Sequence, residues 1–160
     1  MARLNLADLV RQTCDLVIRD LRDLNIRLTA ELEEVEPTVM ANFVDLQQVL
    51  INLINNARDA MVSSPDSKEI VIHMQIVDDI AEVSVADVGT GIDDADLERL
   101  FQPFFTTKEK GVGLGLQICL STVQRFGGDM KASNRPGGGA VFSFTLPVVD
   151  SREMVMRALQ

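Results

Sequence analysis

The sequence predicts an α/β (α+β) two-layer sandwich, with helices on one face of a mixed, mostly antiparallel sheet. Helical and strand periodicities follow one another in the order α, β, α, β, β, short α, α, β, β. Two pairs of strands are separated by short polar or glycine-rich turns, which predicts antiparallel hairpins. Helices that alternate with hairpins bury their apolar stripes most simply against one face of a single sheet.

The helices are predicted at residues 6–24, 43–62 and 114–126, with a short helix at 94–100. Asn5 can cap the first helix, because its side chain can accept a hydrogen bond from a first-turn amide. The residues that recur at helical spacing are Leu6, Leu9, Val10, Thr13, Val17, Leu21, Leu24, Leu46, Val49, Leu50, Leu53, Ile54, Ala57, Met61, Leu116, Leu120 and Val123.

Strands are predicted at residues 26–32, 69–77, 81–87, 129–134 and 140–147. The dipeptide Asp78-Asp79 forms an acidic turn between two of them, and residues 136–139 form the turn before the last one. The acidic stretch 31–36 with Pro37 reads as a loop. The chain is therefore predicted to hold one domain, residues 1–148, followed by a tail, residues 149–160, that is helical or disordered.

Charge and composition exclude several function classes. The chain has 160 residues and a net charge of −9, which argues against non-specific nucleic-acid binding and against contact with an anionic membrane. No apolar run approaches the length of a membrane span, and the first residues lack a signal-peptide core, so a cytoplasmic location is expected. Cys14 and Cys119 lie among apolar residues and are expected to be reduced core residues.

Glycine placement points to the second half of the chain as the place for a ligand. All ten glycines lie after residue 88. Glycine is needed where the backbone turns sharply or approaches a ligand closely. The single histidine, His73, excludes a metal centre built from several histidines.

Two polar motifs precede or begin this glycine-rich half. Asn52 and Asn56 are four residues apart and share one helix face, and an amide oxygen is a hard ligand that suits Mg²⁺. The alternative is that both asparagines simply face solvent. Asp87 ends an apolar strand and is followed by Gly89 and Gly91, so its carboxylate can accept from an exocyclic amine beside a flat ring. The alternative is an ordinary glycine turn.

Two further motifs follow. Residues 101–108, FQPFFTTK, combine an apolar anchor with two hydroxyls and a cation, and a satellite hydrophobic cluster is the simpler interpretation. Residues 111–116, GVGLGL, open a helix, where amide groups favour phosphate. Such anion binding is local, so the net negative charge does not oppose it. The glycine spacing matches neither a Walker A loop nor a dinucleotide fingerprint.

Together, in this order and spacing, the four motifs resemble the GHKL family of ATP-binding domains, which share the Bergerat fold. Within it, the chain looks like the catalytic ATP-binding domain of bacterial sensor histidine kinases. QQVLINLINNARDAM is similar to the N box, DVGTGI to the G1 box, FQPFFTTK to the F box and GVGLGLQI to the G2 box. The FxPFFTTK form is most similar to the nitrogen- and oxygen-regulation type. The resemblance covers roughly residues 4–147.

The resemblance implies ATP and Mg²⁺ as cofactors, with Asn56 as the metal ligand and with Asn52, Asn56 and Lys108 as catalytic residues. Residues 102–112 would form a lid that closes over the nucleotide. The nucleotide-contacting residues that it implies are Asn52, Asn56, Asp59, Asp87, Gly89, Gly91, Ile92, Phe104, Thr106, Thr107, Lys108, Gly111, Gly113, Leu114, Gly115 and Leu116.

The resemblance also implies which reaction the domain supports. ATPase branches of the family carry a glutamate base where this chain has Asn52, and an amide is not a general base. We therefore expect transfer of the γ-phosphoryl group to a histidine on a separate dimerisation domain, and from there to a response regulator. His73 lies in a strand rather than an acceptor helix, so the chain is expected to be a monomeric catalytic fragment or a module acting in trans. A GHKL serine kinase or ATPase, or a nucleotide-binding regulatory module without catalysis, remains the alternative.

Overall fold

The computed structural model describes residues 1–64, 67–103 and 115–149. The chain folds into seven strands and four helices over these ranges. In chain order they are β1 (Ala2–Asn5), α1 (Leu6–Asp23), β2 (Ile26–Glu31), β3 (Thr38–Ala41), α2 (Phe43–Ala60), β4 (Lys68–Val77), β5 (Ile80–Ala86), α3 (Asp94–Leu97), α4 (Gly115–Arg125), β6 (Asp129–Asn134) and β7 (Ala140–Pro147).

The main sheet has five strands in the order β2-β4-β5-β7-β6. β2 and β4 are parallel, because the chain between them crosses through β3 and α2, and the other three pairings are antiparallel. Asp78 and Asp79 join β4 to β5 with φ angles of +53° and +62°. This is the two-residue hairpin turn whose twist matches that of the flanking strands. The prediction of a mixed, mostly antiparallel sheet is confirmed.

The core lies between this sheet and a layer formed by α1, α2 and α4. Strand β4 shows the arrangement: Ile70, Ile72 and Met74 are fully buried, whereas His73 between them is only half-buried. Phe144, in the middle of β7, is among the largest fully buried side chains. Alternate strand residues therefore face the helices, which confirms the two-layer sandwich.

Polar side chains set the starts of the two helices that begin the layer. The Asn5 side-chain oxygen accepts from the Asp8 amide at 3.1 Å, as the sequence predicts. The Asn42 side-chain oxygen accepts from the Asp45 amide at 3.0 Å in the same way at α2. Each cap satisfies one of the amides that a helix start leaves without a partner.

The structure corrects the sequence-based predictions in three places. β1 and β3 form a separate two-stranded antiparallel sheet that was not predicted, because each strand has only four residues and shows too little alternation to detect. Leu24 is 45% exposed rather than part of the α1 stripe. α1 ends at Asp23, and Leu24 follows as the cap residue whose amide bonds back to Leu21. The short helix ends at Leu97 instead of residue 100.

The pairing of β3 extends to the end of the described chain. Val39 forms an isolated bridge with Val148, and the Val149 amide donates to the Thr38 carbonyl at 2.7 Å. Ordered pairing thus continues one residue past the predicted boundary at 148. The rest of the predicted tail lies outside the described residues. In the part of the chain that is described, no helix is both long and apolar enough to cross a membrane.

Candidate functional site

Helix α2 presents three of the predicted site residues. Asn52, Asn56 and Asp59 are separated by four and three residues, so they lie on one face of the helix. All three are half-buried. The Asp59 carboxylate accepts from the neighbouring Arg58 guanidinium at 3.2 Å. This face therefore combines neutral amide groups with a carboxylate whose charge is partly balanced.

The Asn52 amide is held between α2 and α4. The Gln48 side-chain amide donates to Asn52 Oδ1 at 3.1 Å, and Asn52 Nδ2 donates to Cys119 Sγ at 3.3 Å. Cys119 is 1% exposed, and its burial raises the pKa of the thiol above its usual range, although the Asn52 hydrogen bond opposes that shift. Both ends of the Asn52 amide are thus occupied, which fixes the orientation of the side chain.

Asp87 follows directly after β5 and is 1% exposed. Its Oδ1 accepts from the Gly89 amide at 2.8 Å and from the Ala140 amide at 3.2 Å. Among the described residues, its Oδ2 has no hydrogen-bond donor, and no fully buried side-chain oxygen there lacks a partner. Oδ2 is therefore not fully sealed from solvent, and it keeps the capacity to accept a further hydrogen bond.

The negative charge of Asp87 is unfavourable because the carboxylate is buried away from water. Burial raises the pKa of its carboxyl group, while the Gly89 and Ala140 amides and the Arg135 guanidinium lower it, and the net direction is upward. A carboxylate that is stripped of water in this way gains more from a ligand donor than an exposed carboxylate does.

Gly89 brings the loop that follows Asp87, residues 87–92, against the end of α2. A Cβ at residue 89 would overlap the backbone carbonyl of Ala60, so only glycine fits this approach. The contact places the Asp87 carboxylate and the Asn56 end of α2 in the same region. Gly91 adopts a φ of +76°, a left-handed conformation that reverses the loop toward Ile92.

The hairpin between β6 and β7 contacts the other side of the 87–92 loop. The Ile92 amide donates to Asn134 Oδ1 at 2.7 Å, and Asn134 Nδ2 donates back to the Ile92 carbonyl at 2.7 Å. Arg135 Nη1 donates to the Asp87 backbone carbonyl at 2.8 Å. The loop is therefore held between α2 and this hairpin.

The structure brings together predicted residues from three segments: α2, the 87–92 loop and the start of α4. Ile92 and Leu116 pack against the core, and no atom of the described residues lies within 4 Å of where a Cβ on Gly115, the first residue of α4, would be. The remaining predicted site residues lie outside the described residues, as does most of the predicted lid. They are Phe104, Thr106, Thr107, Lys108, Gly111, Gly113 and Leu114.

The site also uses residues that the sequence did not single out, namely Gln48, Cys119, Asn134, Arg135 and Ala140. Gln48 is four residues before Asn52, so helical spacing alone could have suggested their contact. The other four act across 67, 42, 48 and 53 residues of chain, and no local pattern marks them. Chemically, the assembled site offers a buried carboxylate acceptor at one end and hard amide and carboxylate oxygens at the other.

Comparison with known proteins places this arrangement in a family. The family described as histidine kinase-, DNA gyrase B- and HSP90-like ATPases matches residues 41–150. The sensor protein FixL of Bradyrhizobium diazoefficiens is 40% identical over 146 residues, which are 91% of this chain but 29% of FixL.

Solved structures agree with this result. The catalytic domain of the histidine kinase ThkA, in a nucleotide-free form, is 34% identical with a TM-score of 0.81, covering 92% of this chain and 95% of that one. The structure of ThkA in complex with the response regulator TrrA matches with 32% identity and a TM-score of 0.79, over 92% of this chain and 42% of that one. The chain therefore belongs to the family of histidine kinase-, DNA gyrase B- and HSP90-like ATPases, and within that family it groups with the histidine kinases.

Proposed function

We propose that this chain binds ATP with Mg²⁺ and transfers the γ-phosphoryl group to a histidine on a separate dimerisation domain. The observation that carries the proposal is the Asp87 carboxylate, which is buried, is held at Oδ1 by two backbone amides, and has no donor to Oδ2 among the described residues. This is the acceptor that an adenine amino group needs, since a desolvated carboxylate favours a donor and rejects a carbonyl oxygen. In this arrangement the adenine base of the nucleotide contacts Asp87 Oδ2, and the phosphates lie elsewhere in the site.

The α2 face suits the phosphate end of the same nucleotide. Asn56 and Asp59, three residues apart on one helix face, carry an amide oxygen and a carboxylate. Mg²⁺ prefers such hard oxygen ligands. Within the described ranges, no group of three or more His, Cys, Asp or Glu is arranged to hold a metal ion. A metal held mainly by one or two side chains and by nucleotide phosphates fits this donor set, and when bound it would neutralise phosphate charge.

The chemistry at Asn52 favours transfer over hydrolysis. Its Oδ1 accepts from Gln48 and its Nδ2 donates to Cys119, so the amide is fixed and has no basic atom with which to activate water. Phosphoryl transfer relies instead on positioning and charge neutralisation. An imidazole nitrogen attacks the γ-phosphorus, the bond to the bridging oxygen breaks, ADP leaves, and the imidazole N–H proton passes to solvent.

The acceptor histidine belongs to another domain in this proposal. His73 lies on β4 beside Glu33, with 2.9 Å between Nε2 and Oε1, and it alternates with the core-facing residues of that strand. It therefore points away from the helix layer that carries Asn52 and Asn56. The match to ThkA in complex with a response regulator supports a second transfer, from the phosphohistidine to a response regulator.

Replacing Asn56 with alanine tests the phosphate end. We expect the Mg²⁺-dependent gain in ADP affinity to fall about 10-fold, or ~1.4 kcal/mol, because one oxygen ligand is lost. Calorimetric titration of ADP with and without Mg²⁺ measures the change. Asn55→Ala, the same substitution one residue earlier on a different helix face, is the control. An unchanged Mg²⁺ dependence in the Asn56 variant would refute the metal assignment.

A phosphotransfer assay tests the reaction itself. The chain is incubated with γ-labelled ATP alone, and then with a dimerisation domain that carries an acceptor histidine. We expect label only on the added domain, and none when its histidine is replaced by glutamine. His73→Gln in this chain should leave the transfer unchanged. Label on the chain alone, or sustained phosphate release without acceptor, would instead support the serine kinase or ATPase alternative.

A further inference from the structure

We propose that Asn134 and Arg135 are positioning residues for adenine recognition, because they hold both ends of the 87–92 loop. The inference rests on the proposed function, since it concerns the same Asp87 acceptor. It assigns a role to the β6–β7 hairpin, which otherwise serves only to close the sheet. The two residues are adjacent in sequence, and they contact the loop at its last and first residues.

Asn134 makes a two-way contact with Ile92. Its Oδ1 accepts from the Ile92 amide and its Nδ2 donates to the Ile92 carbonyl, both at 2.7 Å. The side chain thus pairs with the loop as a neighbouring strand would, although no ladder exists at this position. The contact needs a donor and an acceptor on two separate atoms at the end of a short side chain, which the asparagine amide provides and a single hydroxyl oxygen does not. Aspartate offers only acceptors.

Arg135 holds the other end of the loop. Its Nη1 donates to the Asp87 backbone carbonyl at 2.8 Å, so it fixes the peptide unit that carries the acceptor. Its own amide donates to the Gly139 carbonyl at 2.8 Å, which closes the hairpin on itself. Ala140, which follows the turn, contacts Asp87 twice: its N–H donates to the carboxylate Oδ1 at 3.2 Å, and its C=O accepts from the Asp87 amide at 3.0 Å. These hydrogen bonds make the β6–β7 hairpin a rigid support for the 87–92 loop.

The position of Asp87 Oδ2 depends on this support. The 87–92 loop contains Gly89 and Gly91 and leads only into the four-residue helix α3, so the chain itself restrains it weakly. With Ile92 and Asp87 both held by the hairpin, Oδ2 stays where an adenine amine can reach it. Releasing Ile92 should therefore reduce recognition of the amine more than contacts to the rest of the nucleotide.

The experiment compares Asn134→Ala and Asn134→Asp with the wild-type chain. ADP and inosine diphosphate, which carries a carbonyl in place of the adenine amine, are titrated calorimetrically. We expect about a 10-fold loss of ADP affinity in either variant, with a smaller loss for inosine diphosphate, so that the preference for ADP narrows. Asn134→Asp should lose at least as much ADP affinity as Asn134→Ala, because the oxygen that replaces Nδ2 would repel the Ile92 carbonyl oxygen. Ser133→Ala, on the exposed side of the same strand, should bind both nucleotides as the wild type does.

Hydrogen exchange of the nucleotide-free chain separates this inference from the proposed function. The Ile92 amide should exchange faster in Asn134→Ala whether or not ADP binds. Wild type that fails to bind ADP would refute the proposed function, whereas unchanged Ile92 exchange would refute the hairpin's hold on the loop. If wild type binds ADP, affinities within twofold for both Asn134 variants, or equal losses for the two nucleotides, would overturn the positioning role. Should the alanine variant be too unstable to titrate, Asn134→Asp, which keeps the size and one acceptor, decides the outcome.

Discussion

Asp87→Asn is expected to lower the affinity of the chain for ADP by about 100-fold, or ~2.7 kcal/mol. The Gly89 and Ala140 amides both donate to Oδ1, so the asparagine oxygen must take that position. Its NH₂ group then replaces Oδ2 and meets the adenine amine donor to donor. The variant therefore loses a hydrogen bond to a charged group and adds an unfavourable contact.

Inosine diphosphate gives the internal comparison for this variant. Its carbonyl oxygen can accept from the new NH₂ group, so its affinity should fall less than that of ADP, or should rise. Calorimetric titration of both nucleotides measures the ratio. A variant that keeps the wild-type preference for ADP would show that Asp87 is not the group that recognises the base.

Asp87→Asn should lower ADP affinity, but it should raise the folding stability of the chain, by an amount that depends on pH. The folded-state pKa of Asp87 is raised above its ordinary value of 3.8, mainly by burial. The folded chain thus binds this proton more tightly than the unfolded chain, so the stability contributed by the group is present below pH 3.8 and is lost as pH rises through the folded pKa. Asp87→Asn, which never ionises, should gain stability relative to wild type as pH rises from acid to neutral.

Thermal unfolding of both proteins over that pH range measures this effect. Asp20→Asn is the matched control, because it makes the same substitution at an exposed position on α1. A constant difference between Asp87→Asn and wild type at all pH values would contradict the dominance of burial at this carboxyl group.

Gly89→Ala is expected to reduce both stability and nucleotide binding. The added Cβ would overlap the Ala60 backbone carbonyl, which cannot move without disturbing the end of α2. Overpacking of this kind costs about 1–3 kcal/mol, and chemical denaturation measures the change in unfolding free energy. Moving the 87–92 loop away from α2 also separates Asp87 from Asn56. ADP affinity should therefore fall at least about 10-fold, or ~1.4 kcal/mol.

A stability-matched variant distinguishes these two effects. Phe144→Leu removes buried volume in the middle of β7 and should cost about 1–2 kcal/mol of stability, without moving the loop. It should bind ADP as the wild type does. If Gly89→Ala and Phe144→Leu bind ADP equally well, the close approach of the loop to α2 has no part in recognition.

The fold was predictable where elements are long and amphipathic. Helices α1 and α2 begin where predicted, because Asn5 and the apolar stripes mark them, and the hairpin turn at Asp78 and Asp79 has the expected form. The sheet of β1 and β3 was missed because its four-residue strands are specified by pairing with each other rather than by their own patterns. Their stability is a tertiary property.

The candidate site was predictable at the residues proposed to contact a ligand, and not at the residues that hold them in place. Asn52 and Asp87 stand in short motifs whose chemistry can be read locally. Cys119 and Asn134 contact Asn52 and Ile92 across 67 and 42 residues of chain, and such a contact depends on the packing of α4 on α2 and on the register of β6 against β7. Neither is encoded by a local spacing.

The two amides that hold Asp87 Oδ1 have a consequence for how this sequence can evolve. Every residue except proline carries a backbone N–H, so the Ala140 amide survives any other substitution that fits its buried position. Residue 89 is restricted by space rather than by its hydrogen bond. Under the proposed function, selection for base recognition therefore acts directly on the carboxylate at residue 87, while the Ala140 hydrogen bond that helps to orient it is preserved by most substitutions at residue 140.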